Sequence, residues 1–158
     1  MGRITETVKV LLIINIIFFI GTMTVGDFAY EKFSLWFFKN ENFEFWQVIT
    51  HMFMHGGVMH IVFNMYALWA FGSPIEQMLG QKKFIFFYFS AGIGAAIIHS
   101  LVNYYHFQSG YNALLDAGLD VEGIYHILQT GSFDRNLLNF VSEDMLEEFY
   151  TSYNTPAV

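Results

Sequence analysis

The chain has 158 residues, of which 54% are hydrophobic and only 13% charged, with 19 phenylalanines. That charged share is about half of what a soluble domain carries, so an ordinary water-soluble fold is excluded. A net charge of −7 argues against a nucleic-acid partner, and the lack of cysteine removes disulfide and thiolate chemistry.

Residues 8–25 read as a first membrane span, because the run from Leu11 to Ile20 is apolar and long enough with its flanks. A cleaved signal peptide is the rival reading, but no Ala-x-Ala-like site follows and further apolar runs come later. Arg3 and Lys9 place the N-terminus on the cytoplasmic side. Gly26 to His55 then forms an external connection in which Trp36, Trp46 and several Phe are mixed with charges. Such mixing suits the membrane–water interface and predicts short amphipathic helices lying partly in the headgroup layer.

A second span is expected over residues 58–79, with Gly80 as its cap and Lys82 and Lys83 returning the chain to the cytoplasm. A third covers residues 84–102, and its small-residue block from Ser90 to Ala96 lets another helix approach closely. His99 falls near its external end and reads as interfacial. From Asn103 onward eight acidic residues face the single Arg135, and no spanning run remains. Residues 103–158 are therefore expected to form an external acidic helical segment. Val121 to Thr130 reads as one short helix stopped by Gly131. Leu137, Leu138, Val141, Met145, Leu146 and Phe149 recur at helical intervals, unless Ser142 caps a shorter helix that starts with Glu143 and Asp144.

The chemistry concentrates between His51 and Asn64. His60 and Asn64 are four apart and share one helix face, as His51 and His55 would on a helix of their own. The five-residue step from His55 to His60 turns that face by roughly 140°, so one unbroken helix does not gather all three histidines. Gly56-Gly57 more plausibly ends a loop or short helix, with a membrane helix starting near Val58. Polar groups at membrane depth are costly and are usually kept for a purpose.

His51-Met-Phe-Met-His55 has the histidine spacing of a zinc protease but no carboxylate between, so a metal site from His51, His55 and His60 is disfavoured. Asp27 and Glu76 lie at span ends, not at the depth an aspartyl site needs. A serine-type reaction needs donors for an oxyanion, and the imidazole N–H of His60 and the amide of Asn64 are two such donors. Helix–helix glue for Asn64 and hydrogen-bonded packing for His60 are the bland alternatives. For His51 and His55 they are orientation of the loop, and for Glu76 an anchor at the cytoplasmic end.

The run Phe43-Glu-Phe-Trp46-Gln-Val-Ile-Thr-His51-Met-Phe-Met-His55-Gly-Gly-Val-Met-His60-Ile-Val-Phe-Asn64, followed by Gly72-Ser-Pro-Ile-Glu76-Gln-Met-Leu-Gly80, resembles the rhomboid intramembrane serine proteases. The resemblance implies an all-α polytopic membrane bundle with an embedded helical first loop. Residues 1–102 would supply about three of its six core helices, and residues 103–158 an insertion leading toward a fourth span. It implies that His60 and Asn64 stabilise the oxyanion, with His55 and His51 in support, and that a Ser/His dyad sits on the fourth and sixth spans. The family's Gly-x-Ser-Gly is absent from all eight serine positions, so the chain is expected to be the N-terminal portion of a longer enzyme and inactive alone. The expected activity is cleavage of transmembrane protein substrates near the external face of a bacterial plasma membrane. No cofactor or metal is expected, and the partners would be the lipid bilayer and the remaining half of the core. The rival is a catalytically inactive relative that binds transmembrane helices, and a metal transporter is a third reading.

Overall fold

A computed structural model describes residues 3–158, and every regular element among them is helical. The elements are α1 (Glu6–Val25), α2 (Asp27–Phe33), α3 (Gln47–Thr50), α4 (Val58–Ala67), α5 (Ser73–Leu79), α6 (Gln81–Asp116), α7 (Val121–Thr130) and α8 (Glu143–Asn154). Single 3₁₀ turns follow α3 at His51–Phe53 and precede α8 at Arg135–Asn139. Three helical stretches are long and apolar enough to cross a membrane: Glu6–Val25, Val58–Leu79 and Gln81–Asp116. The chain is thus a helical membrane bundle.

Val58–Leu79 is one span built from α4, a π-helical turn at Leu68–Gly72, and α5. Pro74 explains the widened turn: it has no N–H to give the Ala70 carbonyl, and in a tight α-turn its ring would press on that group.

The residues fall into two compact units, the first running up to Leu35 and then from Glu44 to Ala96 with Val158, the second comprising Trp36–Phe43 and Ile97–Ala157. In the first, α1 buries Thr7, Val8, Leu11, Asn15 and Thr22, a stripe at helical spacing, while Ile13, Ile17 and Ile20 face outward. Val8, Leu11, Phe53 and Phe84 form the core. Gly72 permits a close approach of α1, since a Cβ there would meet Val8 Cγ2 at 2.9 Å. Gly92, within the expected small-residue block, lies against the Met52 side chain, whereas Gly94 has open space around it. Asn15, buried in mid-helix, donates to the Leu11 carbonyl at 2.7 Å.

The start of α1 carries no capping side chain of its own. Its orphan amides, which every helix N-terminus leaves, are met from α5 instead. Ser73 Oγ accepts from the Thr5 N–H at 3.2 Å, and Glu76 Oε2 accepts from the Val8 N–H at 3.2 Å. Thr7 Oγ1 donates to Glu76 Oε1 at 2.6 Å, and Glu76 itself is only 7% exposed. A carboxylate here also complements the positive end of the helix dipole. With these partners α1 begins at Glu6, two residues before the expected start of the span.

The second unit has its own core of Phe37, Phe107, Leu114, Ile124, Ile127, Leu128, Leu137, Val141, Leu146 and Phe149. The Phe107 ring is its hub, with ring centroids of Phe37 at 5.2 Å and Phe149 at 5.3 Å. Gly110 lets Phe149 lie against the α6 backbone, where a Cβ would collide with it. Three helix starts are capped in sequence: Asp120 accepts from Gly123 N, Asp134 from Asn136 N, and Ser142 from Met145 N. Gly131, at φ 68°, ends α7 where the sequence placed its stop.

The structure refines two expectations. The third span expected over residues 84–102 lies within a longer helix, since α6 runs to Asp116. Hydropathy falls after Val102, yet Phe107, Gly110 and Leu114 still form a buried stripe at helical spacing, and that packing sustains the helix. Leu137 to Phe149 is not one helix, because the chain leaves the 3₁₀ turn at Asn139 and restarts at Glu143 under the Ser142 cap.

Glu76→Gln keeps the shape but puts an NH₂ where an acceptor stood. Since hydrogen bonds to charged groups are worth about 1.5–3 kcal/mol each, the variant should lose stability of that order. Thermal unfolding in detergent reads this, and an unchanged midpoint would show that α1 is held by apolar packing alone.

Candidate functional site

The first loop is fixed by a full accounting of hydrogen bonds at the end of α2. Its last four carbonyls have no partner within the helix. The Ser34 N–H donates to Tyr30 O at 3.1 Å, and Gln47 Nε2 to Glu31 O at 3.3 Å. Trp46 Nε1 donates to Lys32 O at 3.0 Å, and Thr50 Oγ1 to Phe33 O at 2.8 Å. Consecutive turns of Trp46–Thr50 thus clasp α2, and the loop is a built structure rather than a slack connection. Outward from it point Phe28, Phe45 and Trp46, as a surface meant for the interface requires.

From this base the chain enters the His51–Phe53 turn, an extended stretch through Met54, and then α4 at Val58. The glycine pair breaks the helical path between His55 and His60, so no single helix carries all three histidines. His51 turns back, and its Nδ1 bonds the Gln47 carbonyl at 2.9 Å. His55 is 2% exposed, with Nδ1 3.1 Å from the Phe53 carbonyl. A carbonyl only accepts, so Nδ1 carries the proton in both rings. Burial holds both imidazoles below their ordinary value of 6.5, against the smaller opposing effect of those backbone bonds.

His60 stands on the first turn of α4 with its ring against that of His55, the centroids 5.2 Å apart. The Phe19 ring meets His55 edge-on at 6.5 Å. Asn64 follows one turn along the same face, and both His60 and Asn64 are exposed while Ile61 faces the core. The structure therefore joins His55 to His60 and leaves His51 with Gln47. No three His, Cys, Asp or Glu side chains among the described residues are grouped to hold a metal ion. His99 bonds Asn103 within α6.

Tyr30 is the residue that sequence reasoning passed over. Its hydroxyl donates to the His55 carbonyl at 3.2 Å. In the sequence it is one aromatic residue among many in an interfacial loop, and nothing local marks it out.

Three apolar spans, one of them presenting polar side chains near its start, define an integral membrane protein. The Rhomboid domain family model matches residues 42–118. Over 54 residues the chain is 39% identical to Rhomboid protease GluP of Bacillus subtilis (strain 168), a match that covers 34% of this chain and 11% of that protein. Both matches support a rhomboid family protein.

The buried histidines give the site a pH signature. Because their folded-state values lie below 6.5, the unfolded chain binds more protons as the pH falls through that value. Stability is full above about pH 6.5 and is lost below it. The unfolding midpoint should drop between about pH 7.5 and pH 5.5, and His51→Gln and His55→Asn should each flatten that slope. An equal slope in both variants would assign the pH dependence to other groups.

Proposed function

We propose that this chain supplies the oxyanion donors of an intramembrane serine endopeptidase that cleaves transmembrane substrates near the external face. One observation carries the reading: His60 and Asn64 present an imidazole N–H and an amide NH₂ from one open helix face, beside a turn held by hydrogen bonds. The family match and the name of the relative support the same reaction class. The matched part is 11% of that relative's length, so the activity of the whole protein rests on this reading.

In such a reaction a serine oxygen attacks the scissile carbonyl, a histidine base takes its proton, and the carbonyl oxygen becomes an anion. His60 and Asn64 would donate to that oxygen as its charge grows. In a site with little water such donors count for more than in bulk solvent. His55 backs the His60 ring, and His51 steadies the turn before it. The reading takes the nucleophile and the base from residues other than these 158, which contain no Gly-x-Ser-Gly. The 158-residue chain alone should therefore cleave nothing. We assign residues 103–158, with their acidic helices, to the external side of a bacterial plasma membrane, the latter from the relative's source.

Cleavage of a transmembrane substrate in proteoliposomes, by a protein that includes these residues and the dyad, tests the site. Asn64→Ala should lower kcat by about 10²–10³ with little change in stability, the usual cost of one oxyanion donor. His60→Ala should act in the same direction, and the double variant should lose less than the product of the two. Normal cleavage by Asn64→Ala would make the pair packing residues and overturn the oxyanion role, whereas no cleavage by the unsubstituted protein would favour the inactive, helix-binding alternative.

The chain has no cysteine, so single cysteines report sidedness cleanly. Placed at Lys39, Gln81 and Asp134, they should label from outside, inside and outside. Labelling of all three from one side would overturn the three-span topology.

A further inference from the structure

The turn into α4 hangs on one peptide unit. The His55 carbonyl accepts from the Tyr30 hydroxyl at 3.2 Å, and the N–H of the same amide, on Gly56, donates to His60 Nδ1 at 3.4 Å. A carbonyl that accepts a hydrogen bond makes its own amide a better donor, so the chain of bonds polarises in one direction. With an N–H aimed at it, His60 Nδ1 keeps its lone pair, and the neutral ring carries its proton on Nε2. His51 and His55 are the reverse, each with Nδ1 facing a carbonyl. Three histidines within ten residues thus divide between two tautomers.

We propose that Tyr30 is a positioning residue for His60, acting through the His55–Gly56 peptide to fix the ring as its Nε2–H tautomer. The 3.4 Å bond is long for an N–H donor, so it holds the ring only if the peptide itself is kept from rotating. Tyr30 does this from one side, on a helix whose final carbonyls are all occupied. The buried His55 ring, 5.2 Å from that of His60, does it from the other. The catalytic meaning rests on the oxyanion reading: the Nε2–H form offers a donor at the ring's far nitrogen, and the Nδ1–H form would turn a lone pair on the developing anion. The tautomer itself does not depend on that reading.

The 158-residue chain with ¹⁵N-labelled histidine, in lipid nanodiscs at about pH 8, well above the ordinary imidazole range, decides this by NMR. His60, assigned by its loss in His60→Gln, should show a bare Nδ1 and a protonated Nε2, with His51 and His55 reversed. In Tyr30→Phe the His60 ratio of Nε2–H to Nδ1–H should fall by about fivefold, the worth of one neutral hydrogen bond, while His51 keeps its spectrum. A wild-type His60 protonated at Nδ1 would overturn the proposal without any variant. An unchanged His60 ratio in a folded Tyr30→Phe protein would overturn the role of Tyr30. Failure of the oxyanion reading would look different: normal cleavage by Asn64→Ala with the His60 spectrum as expected.

Discussion

The carboxylate of Glu76 occupies the place where α1 lacks a cap of its own. A membrane helix satisfies its backbone internally except at its ends, and there an unmet amide costs several kcal/mol if water is kept away. Glu76 answers the Val8 amide and the Thr7 hydroxyl together, while Ser73 answers Thr5. The position of α1 follows from that fit, and with it the stripe of Val8 and Leu11 against Phe53 and Phe84. Gly72 and the π-turn before Pro74 belong to the same constraint, since they bring α5 close enough for its side chains to reach.

Above this anchor the same accounting governs the first loop. Apolar and aromatic side chains alone would leave α2 free to shift along an interface. Trp46, Gln47 and Thr50 prevent this by taking carbonyls that no helical amide can take. A loop fixed in this way can hold a histidine turn to within the tolerance that a catalytic donor needs, which a flexible connection cannot. On the proposed reading, stability and function draw on the same bonds. The second unit obeys ordinary soluble-protein rules instead, with an aromatic core around Phe107 and side-chain caps at successive helix starts.

Much of this was legible in the residues. Three spans, the break at Gly56-Gly57, the start near Val58 and the stop at Gly131 all follow from local rules of hydropathy, helix period and backbone freedom. The choice at Ser142 was legible as a choice, since a cap and a continuing apolar stripe were both present. Where α6 ends was not, because the stripe of Phe107, Gly110 and Leu114 has meaning only once Phe149 is known to lie against it.

The sequence by itself determined that this chain enters a membrane as helices, and that His60 and Asn64 share one face near the start of the second span. Those properties depend on neighbours within a turn or two. Only the tertiary structure decided that Glu76 caps α1, that Gln47 serves the backbone of α2, and that Tyr30 reaches the peptide beside His60. Each of those bonds joins groups that the chain separates by 16 to 68 residues. The donor and acceptor are common types in each case, so no local pattern distinguishes the partner until the fold brings the two together.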